Sequence, residues 1–183
     1  MKIIFKLCVL LVVVLSSACA VTKETNSVSA LAPAPKSTAT EVASDEIIFQ
    51  DWRKKCQFIK SKGNVCLIYQ NLTIKESGKS VLYVSLTYTG EAKKLVGSFR
   101  LPFGLLLPSG IAIQVDENKQ VNFAVQTCLA DGCYAYINIA NDLLNELKNG
   151  EEAKVGFKTI DQKQLAVKLS LKGFAPAIES LQN

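Results

Sequence analysis

The chain has 183 residues, 49% hydrophobic and 20% charged, an ordinary globular composition with room for about one domain. It contains no histidine, which excludes Ser-His-Asp and Cys-His catalysis, histidine acid–base work and histidine metal ligation. Two of its 21 basic residues lie in an N-terminal leader; without them 19 face 16 acidic ones, a net +3 too weak and scattered for a nucleic-acid surface.

Met1–Lys6 is a positive start, followed by an apolar run over 7–15 and the small residues Ser16-Ser-Ala-Cys-Ala20. The run is too short to span a bilayer, which needs about 20 residues, and reads as a signal peptide over 1–18. Leu15-Ser-Ser-Ala18-Cys19 resembles a bacterial lipobox, with Cys19 the lipidated first residue of the mature protein. Ser16 stands where an aliphatic residue is usual, so cleavage after Ala20 by the ordinary signal peptidase is the alternative; lipidation is favoured. Residues 19–44, rich in Ala, Pro, Ser and Thr, cannot bury enough apolar surface to offset their ordering entropy and read as a disordered linker. The folded domain is assigned to 45–183.

There, short runs of period-two alternation broken by Gly, Pro, Asn and Asp predict strands at Ile47–Lys55, Val65–Ile74, Val81–Thr89, Leu95–Leu101, Ile111–Val115, Val121–Thr127 and Cys133–Asn138. Val81–Thr89 is apolar or β-branched on both faces, as a central strand should be. Ile139, Leu143, Leu144 and Leu147 form one face of a short helix, with Asn141 as its cap and Gly150 ending it in the left-handed conformation. A last hairpin alternates Ala153, Val155, Phe157 and Thr159 against Leu165, Val167, Leu169 and Leu171 about the turn Asp161-Gln-Lys163, with lysines on the wet face. Trp52 is expected to anchor the first strand near the cysteines, with a partner for its N–H, and Phe174 to close the core. The fold class is all-β: an antiparallel β-sandwich with one short helix.

Cys56 and Cys66 bracket the turn residues Ser61-Lys-Gly-Asn64, and Cys128 and Cys133 bracket Leu129-Ala-Asp-Gly132. Four cysteines permit three pairings; the local one, Cys56 with Cys66 and Cys128 with Cys133, closes two turns and is the economical choice in an oxidising compartment. The spacings miss both zinc knuckles and the Cys-x-x-Cys of redox catalysts, so structural disulfides are favoured over thiol chemistry or metal.

Asp51-Trp52 followed by Cys56, Leu101-Pro-Phe-Gly-Leu-Leu-Leu-Pro-Ser-Gly-Ile111, Cys128-Leu-Ala-Asp-Gly-Cys-Tyr134, and Lys168-Leu-Ser-Leu-Lys-Gly-Phe174 with Ala177 together resemble the invasion-associated locus B family, in order across nearly the whole domain. The resemblance implies an exported protein of alphaproteobacterial type and an immunoglobulin-like β-sandwich, in a family of which one branch is tied to pathogen entry into host red cells. The lipobox-like cysteine and long spacer depart from the family pattern.

The residues that carry the resemblance shape backbone and core rather than move protons. We therefore expect a non-catalytic envelope protein, not an enzyme and without a cofactor, lying on the periplasmic side of a bacterial membrane and preferably an outer-membrane lipoprotein. Its expected partners are the membrane, through the anchor, and an unidentified protein or envelope component. Phe103, Leu105, Leu106 and Leu107 form the candidate interaction loop, set against a buried crossover between sheets. The competing readings are a thiol–disulfide accessory protein and a hydrolase built on Asp116, Glu117, Asp131 or Asp142.

Overall fold

Eleven strands arise among the residues that the computed structural model describes, 46–61 and 63–182. The leader, the linker and Cys19 lie outside them. The chain first runs through β1 (Ile47–Phe49), β2 (Trp52–Ile59), β3 (Gly63–Thr73), β4 (Ser80–Thr89) and β5 (Lys94–Leu101). It crosses to a second sheet with β6 (Ile111–Val115) and β7 (Val121–Phe123), then returns with β8 (Thr127–Leu129) and β9 (Gly132–Asn138). Helix α1 (Asn141–Asn149), β10 (Glu152–Lys158), β11 (Gln164–Ser170) and helix α2 (Phe174–Glu179) complete it. The result is a seven-stranded sheet in the order β1-β2-β3-β4-β5-β9-β8 and a four-stranded sheet in the order β11-β10-β6-β7, with every pairing antiparallel.

Alternation explains the layers. Leu82, Val84 and Leu86 of β4, with Phe99 and Leu101 of β5, meet Ile111, Ile113, Val115, Ala153, Val155 and Phe157 from the smaller sheet in one buried core. Phe99 and Phe123 bring their rings to 5.2 Å across it. The expected all-β sandwich is what forms, and Val81–Thr89 is its central strand. Leu165 is 45% exposed despite its place in the predicted apolar stripe, because β11 is a sheet edge that is covered increasingly towards its far end, Val167 partly and Leu169 fully.

Several expectations are corrected. The single strand 47–55 is two, because Gln50 takes φ 54° and turns the chain so that Phe49 pairs with Trp52. The run 121–127 is split between the two sheets. Asn141 does not cap α1; Ala140 holds the cap position without a side-chain bond, and Gly150 is extended (φ −80°, ψ 167°) rather than left-handed. Gly150 is there for space, since a Cβ would lie 2.5 Å from Val115 Cγ1. A second helix, α2, replaces the one-helix expectation. Its Phe174, Ala177 and Ile178 are buried at i, i+3 and i+4, a single helical face.

The two ends of the domain are locked together. Trp52 is fully buried, meets Phe174 edge-on at 5.0 Å and donates from Nε1 to the Ser170 carbonyl at 2.9 Å. Its aromatic partner is thus α2. Ser170 Oγ donates to Asp51 Oδ2, and the buried Gln70 amide bonds Asp51 O, Ser170 O and Ser170 N. Asp51-Trp52 and Leu169-Ser-Leu-Lys-Gly-Phe174, far apart in sequence, are one joint.

Candidate functional site

The four cysteines pair locally. Cys56–Cys66 and Cys128–Cys133 join directly opposed residues of adjacent strands, with Cα–Cα distances of 4.0 and 3.9 Å. Closing loops this short contributes about 3 and about 2 kcal/mol respectively in the chain-entropy picture. Full reduction is therefore expected to lower the urea midpoint markedly, and the native protein should take up no alkylating reagent at these four thiols; labelling of native Cys128 or Cys133 would contradict the paired state.

The candidate loop divides. Leu105 is buried at 7% exposure and bridges to Thr159, so it belongs to the core and is withdrawn as an interaction residue. Leu106 is half-buried, with its N–H on Lys158 O. Phe103 and Leu107 remain 62% and 45% exposed. Tertiary pairing with the β10–β11 turn turns one leucine inward and its neighbours outward, so the loop is crossover and surface at once.

The four carboxylates do separate jobs. Asp116 accepts from the backbone N–H groups of Glu151 and Glu152, Glu117 reaches Lys154 at 3.8 Å, and Asp142 sits in the first turn of α1. Among the described residues no three His, Cys, Asp or Glu side chains come together as metal ligands would. Asp131 alone joins a larger cluster.

That cluster covers the outer face of the seven-stranded sheet. Cross-strand register sets Arg53 opposite Tyr69, Tyr83 opposite Arg100, and Arg100 opposite Tyr134. Tyr69 and Tyr83 stack at 5.4 Å, and Tyr134 and Tyr136 at 6.1 Å. Arg100 lies 5.0 Å above the Tyr83 ring and pairs with Asp131 at 2.8 Å. The Tyr134 hydroxyl donates to the same carboxylate oxygen at 2.7 Å. At the other end Arg53 pairs with Glu46 at 2.8 Å, which also accepts from the Tyr69 hydroxyl. Ser85 and Ser98 face each other between the tyrosine pairs.

The Cys128–Cys133 hairpin presents Asp131 at its tip. Gly132 allows the approach, for at φ 147° a Cβ would stand 2.5 Å from Leu101 O. The Cys-Leu-Ala-Asp-Gly-Cys-Tyr segment therefore holds one carboxylate against one arginine and one tyrosine.

Electrostatics keep this face closed on itself. The Tyr134 hydrogen bond, then Arg100, hold the Asp131 carboxyl below its ordinary 3.8; Tyr69 and Arg53 do the same for Glu46. Burial first, then its bond to Glu46, pushes Tyr69 up to about 12, and burial raises Tyr83. Tyr69 and Tyr83 are thus hydroxyl donors at any physiological pH. A lowered carboxyl pKa stabilises the fold above the unfolded value and loses that contribution as pH falls through the folded one. An NMR titration of Asp131 should give a midpoint below 3.8 that climbs in Tyr134→Phe; no change would remove Tyr134 as the cause.

Sequence reading missed this cluster, apart from Asp131 considered as a hydrolase acid. Its one local signal is Tyr134-Ala-Tyr136, two tyrosines on the same side of a strand. The rest comes from β2, β3, β4 and β5, which only strand order brings together with β9. A separate groove of about 1290 Å³ lies beside the Cys56–Cys66 bridge, lined by Lys54, Thr87, Tyr88, Lys93 and Gln182 among others.

Comparison with known proteins supplies the context. The family model described as Invasion associated locus B (IalB) protein matches residues 52–182. An Invasion protein B homolog of Brucella abortus (strain 2308) is 31% identical over 135 residues, 73% of this chain and 77% of the relative. Invasion protein B of Bartonella bacilliformis is 26% identical over 138 residues, 71% of this chain and 70% of its own. The crystal structure of invasion associated protein b from Bartonella henselae superposes with a TM-score of 0.69 at 22% identity, over 75% of this chain and 94% of that one.

Proposed function

Because this chain belongs to the invasion-associated locus B family, we propose that it is an exported, non-catalytic envelope protein that works by binding, through the outer face of its seven-stranded sheet. The observation that carries this reading is how the chemistry-bearing side chains are placed. Tyr69, Tyr83, Arg100, Asp131, Tyr134 and Tyr136 are held by one another on an open sheet face. An acid, base or nucleophile needs a substrate-sized cleft around it; these groups are arranged as a surface instead. Tyrosine and arginine are also the residues that anchor interfaces.

The signal-like start and the Ala/Pro-rich spacer support export and tethering at Cys19, with cleavage after Ala20 as the alternative. The names of the Brucella and Bartonella relatives support a role in contact with a host cell. Mature protein from the envelope is expected to turn over no ester, peptide or glycoside reporter. Turnover lost on substituting a single Asp, Glu or Ser would overturn the non-catalytic reading. In the producing bacterium, a chain carrying Arg100→Ala and Tyr136→Ala, exported at the normal level, should behave like a deletion in whichever envelope or host-contact phenotype the deletion shows. Full complementation by that chain would remove the face from the function. Mass spectrometry of the mature N-terminus decides between a lipidated Cys19 and a free Val21.

A further inference from the structure

We propose that the tyrosine–arginine face is a binding site for a neutral, hydroxyl-rich glycan; the inference rests on the binding reading above and names its ligand class. It begins from how the chain distributes its residues. The sequence has only two arginines, Arg53 and Arg100, and five tyrosines. Both arginines and four of the tyrosines, Tyr69, Tyr83, Tyr134 and Tyr136, belong to this one network, whereas among the described lysines Lys55 is the one whose charge reaches it, at Glu46. Solubility alone does not require such sorting, because lysine serves on a wet sheet as well as arginine. Arginine differs in offering a rigid planar fork of donors and in stacking on rings.

The state of those groups narrows the ligand. Each arginine already has a carboxylate at 2.8 Å, Arg53 with Glu46 and Arg100 with Asp131, so the charges of the two pairs cancel. A phosphate or sulfate approaching either guanidinium would meet the repulsion of the carboxylate already beside it, and an anion is disfavoured. A neutral polyol meets no such competition. Its hydroxyls can accept from the guanidinium N–H groups and donate to the carboxylates while the ion pairs stay intact. The C–H groups on the face of a sugar ring carry slight positive charge and suit the negative face of an aromatic ring. Tyr136, 41% exposed beside Tyr134, offers such a ring, and the Arg100–Asp131 pair the polar rim.

The layout fits a chain better than a single ring. Tyr69 and Tyr83 stand on β3 and β4, Tyr134 and Tyr136 on β9. Only β5, bearing Arg100 and Ser98, separates β4 from β9, a distance of about 10 Å at the usual strand spacing. The Ser85 and Ser98 hydroxyls, facing each other between the two tyrosine pairs, offer a sugar chain further hydrogen-bonding groups along that path.

The test is calorimetric titration of the mature, oxidised protein with soluble cellohexaose, mannohexaose and chitohexaose, and with a heparin hexasaccharide as the anionic arm. Binding of at least one neutral probe is expected, with little dependence on salt. Affinity should fall roughly tenfold in Tyr136→Ala and in Arg100→Ala, and be unchanged in Tyr88→Phe, which lies off the face. Tyr134→Phe, which keeps the ring and removes only the hydroxyl, should weaken binding less and keeps the test valid if an alanine variant folds poorly. The inference is overturned if no neutral probe binds, if only heparin binds with steep salt dependence, or if binding survives both alanine substitutions. Should the sugars fail while the Arg100→Ala, Tyr136→Ala chain still mimics the deletion, the glycan assignment falls and the binding face stands; should that chain complement fully, both fall.

Discussion

Gly173→Ala is expected to lower the thermal midpoint by more than roughly 10 °C, a loss of about 4 kcal/mol or more for a domain of this size. Gly173 holds φ 85°, and a Cβ there would lie 2.0 Å from the Phe49 carbonyl oxygen and 2.7 Å from its carbon. Both are backbone atoms of the β1–β2 turn, so no side chain can swing aside to make room. Relief requires α2 to move off the turn, and with it Phe174 from the Trp52 ring. Gly78→Ala is the control: φ is 66° there and nothing lies within 4 Å of the new Cβ, so only the left-handed penalty of about 1–2 kcal/mol applies. Since Trp52 is the single tryptophan, its emission should shift to the red in Gly173→Ala and stay in place in Gly78→Ala. Equal losses in the two variants would show that contact with Phe49 contributes nothing.

Trp52→Ala should cost about 3–5 kcal/mol, the usual range for deleting a fully buried large aromatic, and Trp52→Phe only about 1–2 kcal/mol. The difference follows from what each removes. Alanine empties the space between β2 and α2 and takes away the edge-on contact with Phe174. Phenylalanine keeps much of that volume and loses the Nε1 donor to Ser170 O, but the carbonyl still accepts from Gln70 Nε2 at 3.1 Å and is not left bare in the core. Chemical denaturation followed by circular dichroism reads both variants without the indole. If phenylalanine proved as damaging as alanine, the hydrogen bond rather than the packed volume would be what Trp52 contributes.

These two positions show how far the one-dimensional reading reaches. Period-two alternation locates most strands, since a side chain on a strand has only two directions and the buried one must be apolar. The same logic identifies β4 as central, and short loops between strands make the local cysteine pairing economical. Leu165 escapes it because burial also depends on a strand's position in the sheet. Leu105 escapes it because a loop has no period, and its inward turn comes from pairing with Thr159. Helix α2 was legible at i, i+3 and i+4 but is only six residues long, less than two turns of evidence.

By itself, then, the sequence determined the all-β class and the alternating core and favoured the local disulfide pairing, all of which depend on spacing along the chain, while its motif residues carried the family resemblance. Tertiary structure alone decided which distant segments meet: that Asp51-Trp52 closes on Ser170 and Phe174, and that Tyr69, Tyr83, Arg100 and Tyr134 become neighbours. The reason is that hydrogen bonding between strands fixes side-chain adjacency across a sheet through strand order and register, and neither is written in any local pattern of residues.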